Sequence, residues 1–180
     1  MVEKIDSAIG HYSISCKFRK VSNQKDWAFS GVYGPNINRE RNVMSEELAG
    51  VASWWGVLRV VGGDFNAVRF PSERLGAMHF TPTMRGFSKF ISSYMLRDIP
   101  LEGGLFTWSN NKAKSKIDRF LFLDKWDEFF PSILQNRLPK ILSDHFPILL
   151  ECGDFSRGQR PFRFENMWLK ADGFKERVKE

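Results

Sequence analysis

Cysteine is nearly missing from this chain: only Cys16 and Cys152 occur in 180 residues, far apart and with no paired spacing. That argues against a disulfide framework or a cysteine-based zinc site, and makes a reducing, intracellular setting the default. No apolar run approaches the length of a bilayer span, and residues 1–20 have no apolar centre of the signal-peptide kind, so no membrane partner is expected. The Lys of a P-loop and the spaced glycines of a dinucleotide-binding turn are also lacking, which argues against the commonest nucleotide-binding α/β enzymes. No repeat or low-complexity tract interrupts the sequence.

What the chain does have is a core-forming composition, 42% hydrophobic with 17 Phe and 6 Trp, enough for one folded domain. Its 27 Lys and Arg outnumber 21 Asp and Glu, a net charge of +6. A basic balance of this kind suits a polyanionic partner such as nucleic acid.

The patterns alternate between strand and helix. Tyr12, Ile14, Cys16 and Phe18 alternate with Ser13, Ser15 and Lys17, predicting a half-buried strand with the first set inward. Trp27 to Tyr33 predicts a second strand and hence a hairpin, ended by Gly34-Pro35-Asn36. Met44, Leu48, Val51 and Trp55 mark one face of a helix that Gly56 stops. Val57 to Val61 reads as a buried strand. Thr81-Pro82 opens a second helix, expected to run to about Arg97. Short strands are predicted at Leu105–Trp108 and Ile117–Leu123, helical turns at Lys125–Phe130, and a last interrupted strand region at Leu138–Leu150. A mixed α/β (α+β) sandwich follows from this order. Beyond Gly153 the composition turns more basic, so residues 1–153 read as the domain and 154–180 as a connector.

Four places carry chemistry. In Val60-Val61-Gly62-Gly63-Asp64-Phe65-Asn66, an acid and an amide two positions apart sit on one side just past a strand's end, suited to a water or a metal ion. Gly, Asp and Asn are equally the residues of a turn. Ser143-Asp144-His145 offers an imidazole for work near neutral pH and an acid able to face a metal. Asp118 lies in the apolar run Ile117–Leu123 and needs a partner if buried. Its neighbour Arg119 points to the opposite face, so His145 is the better candidate. Tyr33-Gly34-Pro35-Asn36 places a phenol and an amide at another strand's end.

The ordered set YGPN, GDFN, FTW, KIDRF and SDHFPI resembles the endonuclease/exonuclease/phosphatase superfamily. Its wording, notably IPLEGGLFTWSN, SKIDRFLF and LPKILSDHFPILL, is most similar to the endonuclease domain of plant LINE-type non-LTR retrotransposons. RPFRFENMWL resembles the connector that precedes reverse transcriptase in those polyproteins. The resemblance implies a two-sheet β-sandwich flanked by helices, a DNase-like fold that hydrolyses phosphodiesters with Mg²⁺ or Mn²⁺. DNA would be the substrate, a reverse transcriptase the partner in cis and the nucleus the location. It also implies roles. Asp64 would orient or deprotonate the attacking water, with Asn66 holding it or the phosphate. His145 would stabilise the pentacovalent phosphorus and be oriented by Asp118, while Asp144 would contribute to the metal site. Tyr33 and Asn36 would contact the scissile phosphate, and Trp108 would lie near bound DNA.

One departure shapes the expectation of activity. The family fold begins with an Asn-bearing strand and a strand ending in a metal-binding Glu, both ahead of the hairpin that here starts near His11. Glu3 has no strand context that would make it that ligand. The chain is therefore expected to begin mid-domain and to retain little or no cleavage activity. The other reading is a non-catalytic nucleic-acid-binding module using Lys112, Lys114, Lys116 and the basic tail.

Overall fold

The computed structural model describes residues 1–128, 130, 132–140 and 142–153; the 154–180 connector lies outside them. Three strands open the chain as an antiparallel meander: β1 (Val2–Ile9), β2 (Ser13–Lys20) and β3 (Lys25–Tyr33). Helix α1 (Glu40–Trp55) then carries the chain across to β4 (Leu58–Asp64), which pairs parallel with β3. After a 3-10 turn at Pro71–Glu73 and helix α2 (Pro82–Ser93) come four short strands: β5 (Leu96–Asp98), β6 (Leu101–Glu102), β7 (Trp108–Ser109) and β8 (Lys114–Ser115). The chain continues through β9 (Asp118–Leu123), a 3-10 segment at Asp124–Glu128, β10 (Ile133–Arg137) and β11 (Ile148–Cys152).

The main sheet has the order β1-β2-β3-β4-β9-β5, and a smaller one β11-β10-β6; β7 and β8 form a separate hairpin. Side chains alternate across the main sheet, so its two faces carry two cores. Val32, Val61 and Leu121 face Met44 and Leu48 of α1 and Phe87 and Ile91 of α2. Val60 and Phe122 face the other way, against Trp126, Ile133 and Leu150. The layers are thus helices, six-stranded sheet and three-stranded sheet, a mixed α/β sandwich. Among the described residues both α-helices lie on one side.

Local chemistry explains the helix ends. Gly56 takes a left-handed conformation (φ 58°) and donates its N–H to the Ala52 carbonyl. Thr81 accepts from the Met84 N–H at 3.3 Å, with Pro82 at the first helical position. The second helix stops at Ser93, short of the expected Arg97, because Met95 turns left-handed (φ 50°) and Leu96–Asp98 joins β9 as an edge strand.

Four sequence readings need correction. Glu3 does lie in a strand: β1 precedes the predicted hairpin, and Glu3 pairs opposite Arg19, at the end of the sheet away from Asp64. On β2 the alternation is inverted near its start, with Ser13 and Ser15 buried and Ile14 60% exposed. The serines sit under α1, where Ser13 donates to Glu47 at 2.6 Å and Ser15 meets the Ser30 hydroxyl at 2.7 Å; hydrogen bonding makes their burial possible. The Leu105–Trp108 strand shrinks to Trp108–Ser109. The Leu138–Leu150 strand region is the connection between β10 and β11, with only Ile148 onward in the sheet. No helix among the described residues is long and apolar enough to cross a membrane.

Candidate active site

Strand β4 runs through the centre of the main sheet and brings its last residue, Asp64, to one end. Tyr33 of β3 lies on one side of Asp64 and Asp118 of β9 on the other, so the three form a row across adjacent strands. Close approach requires the preceding glycine. Gly63 has φ 138°, and a Cβ there would stand 2.1 Å from the Val32 carbonyl oxygen.

Beyond the strand the chain turns sharply. Asn66 is left-handed (φ 48°), its N–H donates to Asp64 Oδ1 at 2.8 Å, and its Nδ2 donates to the Gly34 carbonyl at 2.8 Å. The turn reading and the site reading of GDFN are therefore both true: the strand ends at Asp64, so the period-two rule no longer places Asn66, and the turn does. Arg41, from the first turn of α1, donates to the carbonyls of Phe65 and Asn66, each at 2.8 Å. Nothing in the sequence singled it out, because its two acceptors are backbone atoms and leave no side-chain signature.

The third member arrives on the β10–β11 connection. His145 Nδ1 lies 3.0 Å from Asp118 Oδ2 and 3.2 Å from Oδ1. With Nδ1 on the carboxylate, Nε2 is the nitrogen left for chemistry. Ligand atoms of Asp64, Asp118 and His145 all come within 4.8 Å of one another, a group able to hold a cation. Burial pushes the Asp64 carboxyl above its ordinary range and the facing Asp118 adds to this, while the Asn66 N–H, His145 and Arg41 oppose it. Burial likewise raises Asp118, against the stabilising hydrogen bonds of Thr107 and His145.

The remaining predicted residues line the mouth. Tyr33 is 70% exposed. Asn36, also exposed, shares a cleft with Arg41, Asn66 and Arg74. Asp144 is exposed and lies outside the three-residue group; its Oδ2 accepts from the Trp108 indole at 2.7 Å. Trp108 in turn bridges His145 through the backbone. A concave rim beside Asp144 includes Ser109, Asn110, Lys112 and Lys140. Lys112 and Lys114 are exposed, but Lys116 is not the surface cation expected from its loop: it is buried, 3.6 Å from Asp98 and 3.9 Å from Glu73.

No family model matches the chain, and no curated protein does. Solved structures match it. The endonuclease domain of TRAS1, a telomere-specific non-LTR retrotransposon, aligns over 85% of this chain and 67% of its own, with a TM-score of 0.66 and 13% identity. An endonuclease/exonuclease/phosphatase family protein from Bacteroides thetaiotaomicron covers 86% of this chain and 66% of its own, with a TM-score of 0.59 and 14% identity. A mannosyl-6-phosphatase of the same bacterium covers 84% and 67%, with a TM-score of 0.51 and 14% identity. The chain thus spans about two thirds of the length of these structures. The likeness to these structures shows that the chain has the endonuclease/exonuclease/phosphatase fold.

Proposed function

We propose that the chain is a metal-dependent phosphodiesterase domain that acts on DNA and is of retrotransposon origin, with low activity in the form given by this sequence. The observation that carries this reading is the facing pair Asp64 and Asp118 with His145 on Asp118. Two half-buried carboxylates directly opposite one another repel, and a hard cation with oxygen ligands relieves that repulsion. Asp64 and Asp118 are the carboxylates that would hold Mg²⁺ or Mn²⁺, with Asp144 contributing from the rim. When bound, such an ion neutralises phosphate charge and acidifies water.

The chain's own residues account for the rest. Asp64 orients the attacking water and takes its proton. Asn66, fixed by Gly34 and Arg41, orients that water or the phosphate. His145 donates from Nε2 to a phosphoryl oxygen while Asp118 holds its Nδ1–H and stabilises the charged ring. Tyr33 and Asn36 contact the scissile phosphate at the mouth, and Trp108 flanks the strand. Asp64 Oδ1 already accepts from the Asn66 N–H and both Asp118 oxygens lie against His145 Nδ1, so an ion competes for these oxygens, which supports weak metal binding and slow turnover.

The test is nicking of supercoiled plasmid. The expected result is slow conversion that keeps rising into millimolar Mg²⁺ or Mn²⁺ and disappears in Asp64→Ala and His145→Ala. Cleavage indifferent to both substitutions sinks the proposal. The exposed Lys112, Lys114 and Lys140 favour a second reading, a non-catalytic nucleic-acid-binding module. Salt-sensitive DNA binding with no metal-dependent cleavage selects it.

A further inference from the structure

Thr107 belongs to none of the roles above, yet every polar atom it has is engaged at the site. It is completely buried. Its Oγ1 accepts from two consecutive backbone N–H groups, Ile117 at 3.0 Å and Asp118 at 2.9 Å. Its own N–H donates to the Ser115 carbonyl at 3.0 Å, and its carbonyl accepts from the Phe146 N–H at 2.6 Å. One residue thus ties the start of β9, which carries Asp118, to the segment that carries His145. Both acceptor positions of Oγ1 are thus given to the backbone that leads into and carries Asp118.

We infer that Thr107 is a positioning residue that sets the separation and orientation of the Asp118–His145 pair through its hydroxyl. The inference rests on the site assignment but not on cleavage. Asp118 and His145 come from segments that share no strand pairing: β9 belongs to the main sheet, and the β10–β11 connection arises from the smaller one. Without a link between them, their 3.0 Å contact would depend on how the two sheets happen to settle. Thr107 supplies a link at the pair itself, its Oγ1 on the Asp118 N–H and its carbonyl on the N–H of the residue after His145, while the Gln135 side chain ties the two sheets further off at the Phe120 N–H. A threonine fits because its methyl fills the buried space while its hydroxyl satisfies two N–H groups that burial would leave unpaired.

The test compares Thr107→Ser, which keeps the hydroxyl, with Thr107→Val, which keeps the shape. The probe is the His145 Nδ1–H proton by NMR, read without metal or DNA so that an inactive chain is no obstacle. A downfield, slowly exchanging resonance is expected in the unaltered protein and in Thr107→Ser, and its loss in folded Thr107→Val. Persistence in Thr107→Val overturns the inference, as does equal loss in Thr107→Ser, which would assign the effect to packing. If Thr107→Val fails to fold, Thr107→Ala is read by amide exchange against Thr107→Ser. Exchange about tenfold faster at Ile117 and Asp118 in the alanine variant alone, with β1 and β2 unaffected, supports the role. Uniformly faster exchange across the sheet shows a merely structural residue and overturns it.

Discussion

Asp64 and Asp118 carry the cost of the site. Each has a carboxyl held above its ordinary range, chiefly by burial. Between the ordinary and the raised value the folded chain binds more protons than the unfolded one, so stability falls as pH rises through that window. Above that window both penalties are present. Asp64→Asn removes one of them while its side-chain oxygen can still accept from the Asn66 N–H. In metal-free protein at pH 7, that variant is expected to unfold about 2–4 °C higher, the equivalent of roughly 1 kcal/mol in a chain of this size. Millimolar Mn²⁺ should raise the unaltered protein's midpoint and leave the variant's unmoved. Thermal scans with and without the ion check both, and a lower midpoint in metal-free Asp64→Asn would refute the argument.

Between elements, acid should act in the opposite sense. On the β2–β3 hairpin, Asp26 takes a two-pronged contact from Arg19, Nε at 2.7 Å and Nη2 at 3.1 Å, with Lys17 Nζ at 3.2 Å. The Arg19 hydrogen bond leads in lowering the Asp26 pKa to about 2. A depressed carboxyl contributes stability that is present above its ordinary value near 4 and lost as pH falls towards 2. Asp26→Asn should therefore flatten the decline of the denaturant midpoint between those limits, and an unchanged slope would count against the pairing. The same hairpin shows what sequence conveys and what it hides. The strand at Trp27 to Tyr33 was legible from its apolar run, and the Met44–Leu48 face of α1 because both residues are buried where the helical period puts them. Ile14 was not: which face of β2 is covered depends on where α1 crosses, and polar Ser13 and Ser15 take the buried side by bonding Glu47 and Ser30. At the site, Asp64, Asp118 and His145 were legible from their motifs. Arg41 and Thr107 were not, because they act through backbone groups that any sequence possesses.

Across the whole molecule, the connection that matters most is ionic. Arg119 of β9 has no exposed surface, bonds Glu73 at 2.9 Å and also pairs with Asp98 of β5. Lys116 completes the group. Glu73 sits at the 3-10 turn after β4, so the cluster joins that loop to β9 and to the sheet's edge. Burial alone would raise Glu73, but the Arg119 bond and charge overcome it and hold it below its ordinary value. Arg119→Met nearly keeps the volume and leaves Glu73 and Asp98 with Lys116 and, for Asp98, the more distant Arg69 at 4.0 Å, so a loss of about 3–5 kcal/mol is expected by denaturant unfolding. Arg119→Met combined with Glu73→Gln and Asp98→Asn should recover part of that loss. A single variant as stable as the parent would show that the cluster holds nothing together.

The place of β4 in the sheet also bears on how the protein is made. Its partner on one side, β3, precedes it in the chain, while its partner on the other, β9, follows long after. During synthesis β1 through β4 can assemble as soon as they emerge, with α1 laid across them. From then until Asp118–Leu123 emerges, Val60 and Val61 present an unpaired apolar edge, the kind of edge that recruits strands from other chains. The strand that ends in the site's first acid is thus also an open edge of the nascent chain, and what closes it is the strand that brings the second.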